Sequence, residues 1–246
     1  MSEIKSLARG LTVLKIMAEV DQSIGITDLA DKLGVNKSTV SRMVQTLMNH
    51  GFVEKSTDGR SYQLGPALVQ LSRVVINRLK LRETANPFLT QLVVRTGECA
   101  HLAIYAQGKA LYIDQVQSDA SLRVNADIGH MAPLHCTALG KVLLAFGGYA
   151  IPARLGSRTG ATITDQEVLA NELEKIRILG FAVDNEEYDE GIRCIAAPVF
   201  DFSNQCIGSI GISGPTARIN LKNISKLSQE VLSISKDLSD RLRFEK

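Results

Sequence analysis

The chain has 246 residues, 45% of them hydrophobic, and a formal net charge of +2, which suits a folded protein of one large or two ordinary domains and excludes a low-complexity or disordered polymer. No apolar run approaches the roughly 20 residues of a membrane-spanning helix, and Met1-Ser2-Glu3-Ile4-Lys5 does not open a signal peptide, so no membrane partner and a cytoplasmic location are expected. Cys99, Cys136, Cys194 and Cys206 are widely spaced with no CxxC pair, which points to reduced thiols rather than disulfides.

Residues 6 to 20, SLARGLTVLKIMAEV, predict a helix with Leu7, Leu11, Leu14 and Met17 turned inward. The stretch from Ile26 to Phe52, ITDLADKLGVNKSTVSRMVQTLMNHGF, predicts two further helices. Ile26, Leu29, Ala30 and Leu33 share one face of the first, and Val40, Met43, Val44, Leu47 and Met48 share one face of the second. Between them Gly34 suits the left-handed end of a helix and Asn36 the cap of the next, the punctuation of a helix-turn-helix. The outer face of the second helix carries Ser38, Ser41, Arg42, Gln45, Thr46 and Asn49, with Lys37 and Thr39 at its start and no acidic residue. A merely solvated helix more often carries Glu/Lys pairs. Phe52 to Lys55 and Ser61 to Leu64, joined through Asp58-Gly59, predict a hairpin, and the set is a winged helix-turn-helix. In that arrangement Ser38, Thr39 and Arg42 lie nearest base edges in the major groove, Lys37, Lys55 and Arg60 meet phosphates, and Ser41 and Gln45 belong to the same DNA-binding face. Arg42 is the candidate guanine reader, since its forked donors satisfy two acceptors at once.

Residues 1 to 65 carry 8 Lys/Arg against 7 Asp/Glu, while residues 66 to 82 add Arg73, Arg78, Lys80 and Arg82 with no acid. Charge therefore collects weakly toward the DNA-reading part, and the motif carries the expectation of double-stranded DNA as partner. Gly65-Pro66 opens a connecting helix, residues 66–80, with Leu68, Leu71, Val75 and Leu79 in one stripe. The domains expected are thus 1–65, the connector, and 81–246.

Beyond residue 80 the pattern is α+β. A helix is expected from Asn86-Pro87 through Arg95, then strands at Cys99 to Tyr105, Ala110 to Val116 and Ser121 to Ala126. Residues 137 to 146 predict a short buried helix, and Thr164-Asp165-Gln166-Glu167 a capping box whose helix ends at Gly180. Strands at Ile192 to Phe200 and Cys206 to Ser213 precede a final helix, Leu221 to Arg243. Thr137, Ala138, Leu139 and Gly140, small but for the leucine, start a helix whose free N–H groups would attract a carboxylate.

Other chemistries find little support. Cys136 with His135 lacks an orienting third group for nucleophilic catalysis, so no enzyme is expected. His130, His135, Cys136 and Cys194 match no zinc template, and Gly140-Lys141 lacks the glycine and hydroxyl of a phosphate loop. No metal or cofactor is therefore expected. A domain serving oligomerisation alone remains an alternative.

VNKSTVSRMVQTL, PLHCTALGKVLLA at 133 to 145, DNEEYDEGIRCIAAPVFD at 184 to 201 and ISGP at 212 to 215 together resemble the IclR family of bacterial transcriptional regulators, in register from about residue 5 to about residue 243. The resemblance implies a GAF-like antiparallel-sheet domain that binds a small carboxylate effector, assembled as a homodimer or a homotetramer of two dimers. It implies a repressor of a catabolic operon more often than an activator. The second half is closest to sugar-acid-sensing members, with glyoxylate and aromatic-acid regulators as alternatives. By resemblance Asp184, Cys194 and Ser213 line the effector pocket, Ile192 is an apolar wall and His101 faces the ligand. Relatives often have SxSGP where this chain has Gly211-Ile212-Ser213.

Overall fold

The structure, a computed structural model, describes residues 3–20, 23–78, 80–121, 124 and 127–244. The strand expected at Ser121 to Ala126 falls mostly outside the described residues. The chain divides into two compact units, Met1–Arg78 and Leu79–Lys246.

In the first unit, α1 (Lys5–Ala18), α2 (Ile26–Leu33) and α3 (Lys37–Asn49) are followed by β1 (Val53–Lys55), β2 (Tyr62–Leu64) and α4 (Ala67–Arg78). Val13, Met17, Leu29, Ala30, Val40, Val44 and Val53 form the core. Gly34 ends α2 at φ 63°, and Asn36 Oδ1 accepts the Thr39 N–H at 2.8 Å to cap α3. The expected inward face of α1 needs correction. Leu7 and Leu11 are 60% and 52% exposed, because the α1 side chains that reach the core all lie from residue 13 onward. Leu71 of the expected α4 stripe is likewise exposed, and the side chains of Val75 and Leu79 lie outside the described residues. The wing pairs Val53 with Leu64 and Lys55 with Tyr62. Its turn is held by Asp58, whose Oδ1 accepts the N–H groups of Arg60 and Ser61; these bonds, with that from the Ser56 hydroxyl foremost, hold the carboxyl well below the usual range.

In the second unit a sheet runs in the order β5-β4-β3-β8-β7-β6, every pairing antiparallel. Its strands are β3 (Cys99–Ala106), β4 (Lys109–Val116), β5 (Met131–Pro133), β6 (Ala182–Asn185), β7 (Ile192–Phe200) and β8 (Cys206–Pro215), accompanied by α5 (Lys80–Thr96), α6 (Ala138–Phe146), α7 (Gln166–Leu179) and α8 (Ile224–Phe244). The period-2 alternation of the strands divides the core in two. Ala100, Leu102, Ile195, Ala197, Ile210 and Ile212 meet Leu89 and Leu92 of α5 and Val231, Ile234 and Leu238 of α8. On the opposite face Ala103 and Ala196 meet α6 and α7 through Val142, Leu143, Leu169 and Leu173.

Helix starts differ from expectation at α5, α7 and α8, the last beginning at Ile224 rather than Leu221. Helix α5 begins at Lys80 and runs through Pro87, because the buried row Leu81, Ala85, Leu89 and Leu92 continues across the proline. Pro87 itself is exposed, so water can reach the backbone acceptor that the ring leaves without a donor. The cap of α7 is Asp165 rather than Thr164, its Oδ1 accepting from Glu167 and Val168 N–H at 2.8 and 2.9 Å.

Candidate DNA-reading face and effector cavity

The amphipathic phase that buries Val40 and Val44 of α3 leaves Lys37, Ser38, Ser41, Arg42 and Gln45 exposed, with Thr39 half-buried. Gln45 Nε2 donates to Asn49 Oδ1 at 3.0 Å and the Thr46 hydroxyl to the Arg42 carbonyl at 2.9 Å, so part of this face is internally braced. Lys55 and Arg60 are exposed on the wing. The face thus presents hydroxyls, an amide and cations at a helix start and along its first turns, the chemistry that meets phosphates and base edges.

The second unit holds a cavity of about 260 Å³ on the α6 side of the sheet. Its floor comes from register. Asp184 pairs with Cys194 and Cys194 with Ser213, so one cross-strand row of β6, β7 and β8 delivers all three side chains to the same face. His101 of β3 joins them, its Nε2 lying 2.6 Å from Ser213 Oγ. Burial lowers the His101 pKa to about 4, which keeps the ring neutral at neutral pH, and its buried Nδ1 has no protein partner. A neutral imidazole sharing a proton with a hydroxyl offers a ligand a donor or an acceptor according to tautomer.

The start of α6 closes one wall. Thr137 Oγ1 accepts the Gly140 N–H at 3.1 Å and donates to the Pro133 carbonyl at 2.9 Å, so this hydroxyl is spent on the cap. Thr137, Ala138 and Leu139 line the cavity, and the first-turn N–H groups of Ala138 and Leu139 are the ones a helix leaves without internal partners. Gly140 is not among the lining residues. A Cβ there would come within 2.6 Å of the Leu134 backbone, so glycine serves packing at this position. Ile192 lines the wall as expected, as does Gly211; a Cβ at 211 would meet the Ile195 carbonyl oxygen at 2.3 Å, so the β7 backbone fills the space a serine would need.

Several lining groups carried no readable signal. Arg158 lies in a loop without periodicity, yet its guanidinium sits 4.1 Å over the Tyr188 ring and its Nε donates to the Tyr188 carbonyl at 3.3 Å. His130 Nε2 is 3.1 Å from the Tyr188 hydroxyl, and Tyr112 makes edge contacts with both His101 and His130. Asp184, mostly buried, accepts the Glu187 and Tyr188 N–H groups on Oδ1 at 2.8 and 3.3 Å. Its pKa rises to about 7, chiefly through burial. Behind it the fully buried Lys141 of α6 donates to the Val183 carbonyl at 2.6 Å and to Glu187 Oε1 at 2.5 Å. The acidic-looking loop DNEEYDEG is therefore turned partly inward.

His135 donates to the Gly156 carbonyl at 2.9 Å, and burial pushes the Cys136 thiol up to about 12, which disfavours the nucleophilic thiolate. Among the described residues no three His, Cys, Asp or Glu side chains are gathered to hold a metal, and no helix is long and apolar enough to cross a membrane.

Comparison with known proteins accords with both units. Residues 6–57 match the IclR helix-turn-helix domain, and residues 73–240 match the family model described as bacterial transcriptional regulator IclR C-terminal. The chain is 31% identical to the HTH-type transcriptional regulator XynR of Escherichia coli K12 over 99% of both chains. It is 32% identical to the HTH-type transcriptional regulator KdgR of Dickeya chrysanthemi over 98% of this chain and 81% of that one. The solved structure of an IclR transcriptional regulator from Alicyclobacillus acidocaldarius is similar with a TM-score of 0.82 at 26% identity, covering 97% of this chain and 99% of that one. A helix-turn-helix followed by this curled antiparallel domain, matched over nearly its full length by regulators of the same build, places the chain in the IclR family of bacterial DNA-binding transcriptional regulators.

Proposed function

We propose that the chain is a repressor of a catabolic operon released by a small carboxylate effector, with a sugar acid as the favoured class, acting as a homodimer or a tetramer of two dimers. The observation that carries this reading is the cavity lined together by the α6 start, the His101–Ser213 pair, Arg158 and Asp184. An anionic end suits the helix N–H groups and the guanidinium, and hydroxyls suit Asp184 and the histidines. A volume of about 260 Å³ lies just under the ~300–1,000 Å³ of ordinary small-molecule sites, which favours a short ligand. Thr137, Ala138, Leu139, Asp184, Ile192, Cys194, Ser213 and His101 form the effector site in this reading, with Gly140 behind it. Helix α4 serves as the connector, and occupancy of the cavity changes the spacing of recognition helices relative to operator half-sites about one helical turn apart, or a multiple of it.

A thermal-shift panel of aldonic, keto-deoxy and uronic acids, glyoxylate, pyruvate and aromatic acids tests the effector. A sugar acid at 100 times its dissociation constant is expected to stabilise by roughly 2.7 kcal/mol. A hit confined to another class overturns the sugar-acid assignment, and a silent panel overturns the carboxylate sensor. On the DNA side, Arg42→Ala is expected to weaken binding to the selected operator by about 1–3 kcal/mol and relax the base preference at one position. An unchanged footprint removes Arg42 from base reading.

A further inference from the structure

We propose that Asp114, gripped by Arg82 and Asn86, is a positioning residue that couples the cavity to the start of α5, the helix with which the chain enters the second unit. The proposal rests on the reading of the cavity as the effector site.

In a regular strand Tyr112 and Asp114 would share a face. They do not, because the β3–β4 ladder shifts register between Leu102 and Ala103, Ala103 pairing with Tyr112 and Leu102 with Asp114. Ile113 is the extra residue of a bulge, a device that re-aims side chains beside functional sites. Tyr112 consequently points to the α6 side and lines the cavity, while Asp114 points to the α5 side. There Asp114, only 3% exposed, accepts from Asn86 Nδ2 at 3.1 Å and from its neighbour's Gln115 N–H at 3.0 Å, and pairs with Arg82 at 3.5 Å. Ile113 itself joins Leu81 and Ala85 in the core on the α5 side.

This places a cavity wall and a helix anchor two residues apart on one strand. Tyr112 sits edge-on between His101 and His130, with ring centroids 5.7 and 5.6 Å away, and its N–H and carbonyl bond His130 and Gly129 at 2.9 and 2.8 Å. Any occupant that moves either ring moves Tyr112. A buried carboxylate is costly to leave without its partners, so a displacement of β4 is followed by Arg82 and Asn86 rather than absorbed at the clamp. Both are in the first turns of α5, and the chain leading to the DNA-reading unit continues directly from them.

Amide hydrogen exchange on the full chain without any ligand tests this coupling as a double-mutant cycle. Tyr112→Ala is expected to speed exchange of amides 84–86 and 88–92 by about fivefold or more in the wild-type background and by less than about twofold in Asp114→Asn, since the broken clamp no longer transmits the change. An equal factor in both backgrounds, or none in either, overturns the proposal, because a residue that merely stabilises α5 gives additive effects. Should Asp114→Asn not fold, Asn86→Ala removes the 3.1 Å bond from an exposed position and completes the cycle; there the factor is again expected to shrink, and an equal factor again overturns it. The ligand panel and this cycle fail independently: a silent panel with a non-additive cycle removes the effector reading alone, and a binding panel with an additive cycle removes the clamp alone.

Discussion

Replacing Lys141 by Met is expected to cost about 3–5 kcal/mol of the second unit's stability, the range for removing one partner of a buried ion pair. The side chain is fully buried, and its ammonium donates to Glu187 Oε1 and to the Val183 carbonyl. Glu187 Oε2 already lacks a partner, so the substitution strips the carboxylate of its counter-charge in a place water does not reach. Urea unfolding should show a lower midpoint with an unchanged slope, and thermal unfolding a fall of about 6–20 °C at roughly 2–4 °C per kcal/mol for a domain of this size. The damage should also reach the cavity. Glu187 N–H donates to Asp184 Oδ1, so loosening Glu187 loosens the turn that aims Asp184. Lys141→Met combined with Glu187→Gln removes both charges, and most of the loss should return, since a neutral pair of similar volume is often tolerated where a lone charge is not. A single substitution costing under about 1 kcal/mol would show that Glu187 swings to water or takes a proton, and the pair would lose its structural role.

Why neither Lys141 nor Glu187 was legible in the sequence follows from where their signals lie. Lys141 interrupts the apolar run ALGKVLLA and reads as the one solvated position of a short helix. Its partner comes from a loop 46 residues later, and nothing in local periodicity announces such a meeting. The helix-turn-helix was legible because its signals are local: Gly34 and Asn36 fix the turn by backbone conformation and a cap three residues away. Strands β7 and β8 were legible from apolar runs bounded by turns. The site depended on register instead. Positions 184, 194 and 213 are unrelated by spacing, and only pairing across three strands makes them neighbours; resemblance to a family suggested them where the residues alone did not. Two errors have the same origin. Leu7 and Leu11 lie on an apolar helical stripe and line an open groove with Met43 and Leu47 of α3, but the groove leaves them more than half exposed. Pro87 reads as a helix start because proline favours the first turn, whereas the buried row Leu81, Ala85, Leu89 and Leu92 that carries the helix through it is set by partners distant in sequence.

Asp184→Asn is expected to raise stability at alkaline pH by up to about 4 kcal/mol, an effect opposite in direction to that of Lys141→Met. The Asp184 carboxyl is raised to about 7, by burial first and by the Glu187 charge, against the opposing influence of the Glu187 and Tyr188 N–H groups and of Lys141. In the unfolded chain an Asp titrates near 3.9. Between these values the folded state holds a proton that the unfolded state has released, so stability falls as pH rises from about 4 to about 7 and is level above. At about 1.36 kcal/mol per pH interval of one, a gap of this size corresponds to roughly 4 kcal/mol. Asparagine does not titrate and its oxygen can still accept both N–H groups, so the other carboxylates cancel and the difference isolates Asp184. Urea unfolding at pH 4.5, 6, 7.5 and 9 should show the variant gaining on the wild type up to the third value and holding its lead at the fourth. A difference that stays constant with pH sinks the assignment of a raised carboxyl. Were Asp184 present only for packing, the chain would carry this cost at neutral pH with no return. Under the proposed function it is the cost of keeping, beside His101, Cys194 and Ser213, a group able to donate to or accept from a ligand hydroxyl, and the stabilised variant should respond least to the effector.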